Sequence, residues 1–113
     1  MARLNYVELP VRDMGAAKRF YESVFGWSMT EFAPTYAATL TGDTDIGMLG
    51  DLAVATVAPL PGIEVVDLEA ALEAVTKAGA KIVRPIFAFP GGRRFQFLDP
   101  SGNEVACVKG DEG

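Results

Sequence analysis

The chain of 113 residues is long enough for one domain with its own core, and 50% hydrophobic with 22% charged residues is typical of a globular protein. A net charge of −5 without a dense Lys/Arg cluster argues against nucleic acid and anionic membrane surfaces as partners. The chain has no histidine, which excludes Ser/His or Cys/His nucleophile pairs and His-based metal sites.

The compartment is predicted from what the sequence lacks. No apolar run approaches the roughly 20 residues needed to span a bilayer, and the chain opens directly into a strand pattern instead of a signal peptide. The one cysteine, Cys107, excludes an internal disulfide framework and fits a reducing compartment. Alternation puts Cys107 on the same strand face as Val105, so we expect a small core residue. These features predict a cytoplasmic protein.

The first half of the chain has the pattern of a β-α-β-β-β unit. Alternating apolar and polar residues over 4–11 predict a strand. Asp13 is placed to cap a helix of about 12 residues, and Gly26 supplies the left-handed position that ends it. Turn residues then separate three predicted strands, at 27–32, 36–41 and 45–49.

The second half repeats this order after a largely apolar stretch, 51–60, which is either a linker or an edge strand. A strand at 63–66 leads to Asp67, which is predicted to cap a second helix that Gly79 ends. Three further strands are predicted at 81–86, 94–98 and 104–108. The repeated order indicates a duplication within the chain.

Three stretches carry a resemblance to a known family. They are Glu-Leu-Pro-Val-Arg-Asp at 8–13, Phe-Tyr-Glu-Ser-Val-Phe-Gly-Trp at 20–27 and Phe-Leu-Asp-Pro-Ser-Gly-Asn at 97–103. In this order, within a duplicated β-α-β-β-β frame, they resemble the vicinal oxygen chelate superfamily. That superfamily includes glyoxalase I, extradiol dioxygenases, fosfomycin-resistance enzymes and bleomycin-resistance proteins. The resemblance covers about residues 3–109.

The resemblance implies an α+β fold of two tandem β-α-β-β-β modules. Their strands would form a curved mixed sheet around a concave groove, with the helices outside. The chain would be one domain of this type over 1–113, with module 1 at about 3–50 and module 2 at about 54–109. A ligand would then lie in the groove that the modules make together.

Metal-dependent members of the superfamily take two ligands from the concave face of each module. The resemblance puts the corresponding positions at Tyr6, Gly47, Leu60 and Ala106. Three of these residues cannot bind a metal through a side chain, and a neutral tyrosine is a poor ligand. We therefore expect no metal and no cofactor, as in the bleomycin-binding type.

Strand alternation proposes which side chains line the concave face. Tyr6 and Glu8 point away from the face of Val7, Arg94 and Gln96 away from Phe95, and Glu104 away from Val105. Trp27, Tyr36 and Phe32 either add aromatic surface for a flat or cationic ligand or pack in the core. The candidate ligand-binding residues are Tyr6, Glu8, Trp27, Tyr36, Arg94, Gln96 and Glu104.

Other interpretations of the same residues stay open. Glu8, Arg94 and Glu104 are alternatively solvent-facing residues that form exposed salt bridges. Glu8 and Glu104 are alternatively a carboxylate pair for a hard cation such as Mg²⁺. Glu8 is also a candidate general base, with Tyr6 and Arg94 as further catalytic candidates. The Gly-Gly-Arg-Arg stretch at 91–94 is better explained as a hairpin turn than as an anion site.

The leading hypothesis is a metal-independent small-molecule-binding protein of the glyoxalase/bleomycin-resistance type. The acidic balance favours a neutral or cationic ligand. We expect a homodimer, because the resemblance implies that chains of this length often pair to close the shallow cup. The alternatives are a lyase or isomerase that uses a carboxylate base without the metal, and a protein-association module with a vestigial groove.

Overall fold

The computed structural model describes residues 2–111 and divides into two compact units. Within the described residues, one unit comprises residues 6–60 and the other comprises residues 2–5 and 61–111. Within residues 2–111, no helix is both long enough and apolar enough to cross a membrane.

The first module is a mixed sheet with one helix. Strand β1 runs parallel to β4, while β3 lies between β4 and β2 and is antiparallel to both, which gives the order β2-β3-β4-β1. Glu8 of β1 is opposite Gly47 of β4 in this register. The elements are β1 (Arg3–Pro10), α1 (Met14–Phe25), β2 (Thr30–Ala33), β3 (Tyr36–Ala38) and β4 (Asp45–Leu49).

The second module repeats this topology. Strand β5 is parallel to β8, and β7 is antiparallel to both β8 and β6. Its elements are β5 (Leu60–Glu64), α2 (Leu68–Lys77), β6 (Lys81–Phe89), β7 (Gly92–Leu98) and β8 (Glu104–Gly110). The expected α+β class, with two β-α-β-β-β modules, is confirmed. The concave groove stays a prediction.

Both helices begin and end as their sequences predict. The Asp13 carboxylate accepts from the Ala16 N–H at 2.9 Å, and the Asp67 carboxylate accepts from the Ala70 N–H at 3.0 Å. Each bond satisfies an N–H group that has no partner inside the helix. Gly26 follows α1 in the left-handed conformation, with φ of 72°, which L side chains rarely adopt.

Each module packs its helix against one face of its own sheet. In the first module the core is built from Val11, Met29, Ala37 and Met48. In the second, Leu68 of α2 packs with Phe95 and Cys107. Burial raises the pKa of the Cys107 thiol, so the expectation of a small core residue is confirmed.

Strand limits in the first module differ by more than one residue at two of the predicted strands, whereas β1 is displaced by one residue. The predicted strand at 27–32 begins only at Thr30, because Trp27 packs on the rings of Tyr21 and Phe25. The predicted strand at 36–41 ends at Ala38, since the following residues turn around the carboxylate of Asp45.

In the second module the strands are longer than predicted. Strand β6 continues to Phe89 and β7 begins at Gly92, so the two form one long hairpin. The predicted strand includes Pro85 but stops at residue 86, and the predicted turn includes Gly92, so the prediction misses the residues that complete the hairpin. The stretch from 51 to 59 contains turns and no strand, which favours the linker interpretation. Strand β5 begins directly after it, at Leu60.

Candidate ligand-binding site

Two tyrosines meet on one face of the first module's sheet. The hydroxyl groups of Tyr6 and Tyr36 are hydrogen-bonded to each other. Gly47 lies directly beneath them: a Cβ on this residue would stand 1.8 Å from the Tyr6 oxygen and 3.0 Å from the Tyr36 oxygen. The absence of a side chain at Gly47 therefore makes room for the tyrosine pair.

Glu8 lies next to Gly47 across the parallel ladder and is only 3% exposed. Arg94, in the second module, is only 4% exposed. The alternative in which these two residues are solvent-facing is therefore wrong. A charged side chain is costly to remove from water, so both positions belong to built environments, not to a solvated surface.

Arg94 packs against aromatic rings on the sheet face of the second module. Its guanidinium carbon lies 4.9 Å from the ring centroid of Phe89 and 5.1 Å from that of Phe87. The Arg84 guanidinium carbon lies 3.7 Å from the Phe87 centroid. Cation–π contacts of this kind contribute about 0.5–2 kcal/mol each and fix the planes of the guanidinium groups.

Gln96 and Glu104 share that face and touch each other. The Gln96 amide nitrogen donates to Glu104 Oε2 at 2.6 Å, and this contact sets the orientation of the amide. Gln96 is only 2% exposed, and within residues 2–111 its Oε1 has no hydrogen-bond partner. Buried acceptors are nearly always satisfied, so this oxygen is a candidate contact for a donor outside the chain.

Trp27 and Phe32 occupy other places. The Trp27 ring stacks on Tyr21 at 5.6 Å and on Phe25 at 5.3 Å, at the end of α1. It lines a cavity with Val7, whose side chain points to the opposite face of β1 from Tyr6, so the structure does not bring Trp27 and Tyr6 together. Phe32 is exposed, and its ring is 6.2 Å from that of Tyr36.

Sequence reasoning missed the aromatic part of the second module's face. Arg84, Phe87 and Phe89 were not singled out, because the predicted strand stopped at residue 86. The signal that was available is the run Phe87-Ala88-Phe89, which alternates with the period of a strand. The turn predicted at 91–94 lies at Pro90 and Gly91, whose φ is 107°, and the residues from Gly92 to Arg94 belong to β7 instead.

The family's four metal positions do not fit a metal in this chain. The first module offers a phenol already bonded to Tyr36 and a glycine without a donor. The second pair, Leu60 and Ala106, are buried apolar residues. No group of three His, Cys, Asp or Glu side chains within residues 2–111 gathers closely enough to hold a metal ion.

Comparisons with known proteins agree with this architecture. The chain matches the family model of the "Glyoxalase/Bleomycin resistance protein/Dioxygenase superfamily" over residues 3–107. A solved structure of a member of that superfamily from Vibrio splendidus 12B01 covers 98% of this chain and 100% of its own, at a TM-score of 0.72 and 16% identity. At this identity the likeness shows the fold alone.

Two relatives are closer in sequence. The "Putative glyoxylase CFP32" of Mycobacterium bovis is 30% identical over 115 aligned residues, which cover 89% of this chain. The chain spans only 43% of the length of that relative. A "Glyoxylase-like domain-containing protein" of Didymella fabae is 32% identical over 121 aligned residues, which cover 95% of this chain and 94% of the relative.

A duplicated β-α-β-β-β fold with a family match over nearly its whole length defines the class of this protein. The chain belongs to the glyoxalase/bleomycin resistance protein/dioxygenase superfamily.

Proposed function

We propose that this chain is a metal-independent small-molecule-binding protein of the glyoxalase/bleomycin-resistance type. The observation that carries the proposal is the tyrosine pair over Gly47. Two side chains with little affinity for transition metals occupy the place where the first module of metal-dependent relatives supplies ligands. A partly buried phenol pair of this kind suits a binding surface for an organic compound better than a Lewis-acid centre.

The second module supports a ligand that donates a hydrogen bond. The free Oε1 of Gln96 is an acceptor, and it lies on a sheet face that also carries Arg94 and the rings of Phe87 and Phe89. Apolar surface with a few oriented polar groups is typical of small-molecule sites. With a net charge of −5, the chain favours a neutral or cationic ligand over an anionic one.

The test is a thermal-shift screen of neutral and cationic amines, amides and alcohols, run on metal-depleted protein with chelator present. A ligand at 100 times its Kd stabilises the folded state by about 2.7 kcal/mol, a readily measured rise in Tm. We expect Gln96→Met to lose most of the rise. The matched control is Arg93→Met, since Arg93 is exposed and pairs with Glu69 on the surface. Stoichiometric bound zinc, nickel or iron, or hits that vanish with chelator, would contradict the proposal.

We also propose a homodimer located in the cytoplasm. The described surface carries exposed apolar side chains on α1, among them Phe20 and Val24, and association would remove such groups from water. Sedimentation equilibrium across a hundredfold range of concentration measures the assembly. A monomer at every concentration would contradict it.

One observation favours a second function, a lyase or isomerase that uses a carboxylate base. Glu8 is a buried carboxylate on the face that also holds the tyrosine pair. Turnover of a substrate by this route would survive chelator and be lost in Glu8→Gln. Unchanged turnover in Glu8→Gln would show that Glu8 is not the base.

A further inference from the structure

A cavity of about 590 Å³ lies inside the first module, where the end of α1 meets β1 and the loop before β4. Val7 and Ile46, which are opposite each other in the β1–β4 ladder, form its floor. Both belong to the face opposite the tyrosine pair, because successive strand residues alternate between faces. The cavity is therefore distinct from the site proposed above.

One wall of the cavity is an aromatic ring that is already ordered. The Trp27 ring is almost parallel to that of Tyr21, at 4°, and also stacks on Phe25. Trp27 nevertheless remains 38% exposed. A ring held in this way contributes stacking or cation–π contact to a ligand with little further loss of conformational freedom.

The cavity lining carries one negative charge. Asp45 is the only charged residue among those that line the cavity. Its carboxylate accepts from the Thr39 hydroxyl at 2.7 Å, from the Thr41 N–H at 2.8 Å and from the Gly42 N–H at 3.2 Å. No ion pair found among residues 2–111 includes Asp45. These hydrogen-bond partners are neutral, so the charge of this lining residue has no counter-charge among them.

The environment keeps that charge at neutral pH. Burial raises the pKa of Asp45, but the hydrogen bonds from Thr41, Thr39 and Gly42 outweigh it, and the pKa lies below its ordinary value. The end of α1 adds negative potential to the cavity, because a helix carries partial negative charge at its carboxyl terminus and α1 has no basic residue in its last turn.

The matching place in the second module shows what is particular to the first. A cavity of about 600 Å³ lies there between the end of α2 and the loop after β7. Ala80 follows Gly79 where Trp27 follows Gly26, and Lys81 adds a positive charge to the lining. The lining of the second cavity also contains Phe97 and Asp99, so it carries charges of both signs. The fold produces the gap in both modules, whereas the stacked tryptophan and a lining whose one charge is negative belong to the first.

We propose that the first module's cavity binds a small cationic amine with an aromatic or apolar body. The ammonium group lies against Asp45 and the carboxyl end of α1, and the apolar body lies against Trp27, Val7 and Ile46. This site does not depend on the function proposed for the other face of the sheet.

The chain reports on this site directly, because Trp27 is its one tryptophan. Tryptophan fluorescence is titrated at pH 7 with 2-phenylethylamine, with the neutral 2-phenylethanol and with the anionic 3-phenylpropanoate. We expect a saturable change in which the amine binds about tenfold more tightly than the alcohol, a difference of about 1.4 kcal/mol, with the anion weakest. Equal affinities, or no saturable change with the amine, would overturn the proposal.

Variants separate the site from its surroundings. Asp45→Asn should bring amine affinity down to that of the alcohol. Ser28→Lys, at an exposed lining position away from the Asp45 loop, should have the same effect even if Asp45→Asn folds poorly. Calorimetry should show loss of binding in Trp27→Ala and retention in Phe20→Ala, which removes an exposed ring of α1 that does not line the cavity. Preference for the amine that persists in Ser28→Lys would overturn the charge assignment.

A last control distinguishes this site from the proposed function. Gln96 lies in the second module and lines no part of this cavity. Gln96→Met should leave amine binding to the cavity unchanged. A loss of amine binding in Gln96→Met would show that the amine occupies the other site and would overturn the proposal.

Discussion

The two modules share their backbone devices and differ in the side chains on their sheets. Each helix begins at an aspartate that accepts from the N–H three residues later. Each sheet pairs its first strand in parallel with its last. The sheet faces differ. The first module carries a tyrosine pair over Gly47, whereas the second carries Arg94 packed on two phenylalanine rings. Duplication has kept what forms the fold and changed the side chains on the sheet faces.

The strand registers show the difference between the modules at single positions. Glu8 is opposite Gly47 in the first module, and Gly62 is opposite Ala106 in the second. The position of the Glu8 carboxylate in the first module is held in the second by Gly62, which has no side chain. The position of Gly47 is held in the second module by the methyl group of Ala106. The backbone admits either arrangement, so the neighbouring side chains decide which residue each position accepts.

The largest expected effect follows from Gly47→Ala. The second module already carries alanine at this position, as Ala106, but in the first module the new Cβ would stand 1.8 Å from the Tyr6 hydroxyl oxygen. Overpacking of this kind costs about 1–3 kcal/mol, which urea denaturation measures.

The control for this prediction is Gly50→Ala, just beyond the same strand. A Cβ there would lie 3.5 Å from the nearest atom, in the side chain of Met14, which is an ordinary contact. We expect its stability to be close to that of the parent chain. Equal stability of the Gly47 and Gly50 variants would show that the tyrosine pair moves aside easily, and the first module would then be no more restrictive than the second.

The helix caps test the similarity of the modules. Asp13→Ala and Asp67→Ala each remove an equivalent hydrogen bond, at 2.9 Å and 3.0 Å, and should each lower the free energy of unfolding by about 1 kcal/mol. Asp13→Asn is the matched control, because asparagine caps a helix nearly as well. A loss at only one of the two caps would mean that one helix is held by its packing instead.

Much of the fold was predictable because local devices determine it. The cap at Asp13 and the left-handed glycine after Phe25 bound α1 at the predicted residues. The strands were predicted less well, because their ends depend on side chains distant in sequence. Strand β3 is shortened because residues 39–42 form a turn whose Thr39, Thr41 and Gly42 donate hydrogen bonds to the Asp45 carboxylate. No local pattern in residues 36–41 predicts this turn.

The site was predictable only in part. Alternation correctly placed Gln96 and Glu104 on one face, where they bond to each other. The contact between Tyr6 and Tyr36 joins residues thirty positions apart, on strands whose register the sequence does not specify. The aromatic partners of Arg94 lie in the part of β6 beyond the predicted strand end at residue 86, and their contact with Arg94 also follows from the register of the β6–β7 ladder.

The smallest expected effect concerns acid, and it compares the two equivalent hairpin loops. Asp45 follows the loop before β4, whereas Asp99 precedes the loop before β8. The pKa of Asp99 is lowered by hydrogen bonds that its carboxylate accepts from the Asn103 amide and from N–H groups of the loop. The pKa of Asp45 is also lowered, because the hydrogen bonds to its carboxylate outweigh the effect of burial.

Both carboxyls therefore stabilise the fold above the ordinary value of 3.8, at which the unfolded chain takes up protons. That contribution is lost as the pH falls through the lower pKa of the folded state. Urea midpoints measured from about pH 6 to about pH 3 should fall less steeply in Asp45→Asn and Asp99→Asn than in the parent chain. The change should be smaller for Asp99, because solvent screens an exposed carboxylate. If the pH dependence of the urea midpoint changed only in Asp45→Asn, the Asp99 carboxylate would not stabilise its loop as Asp45 does.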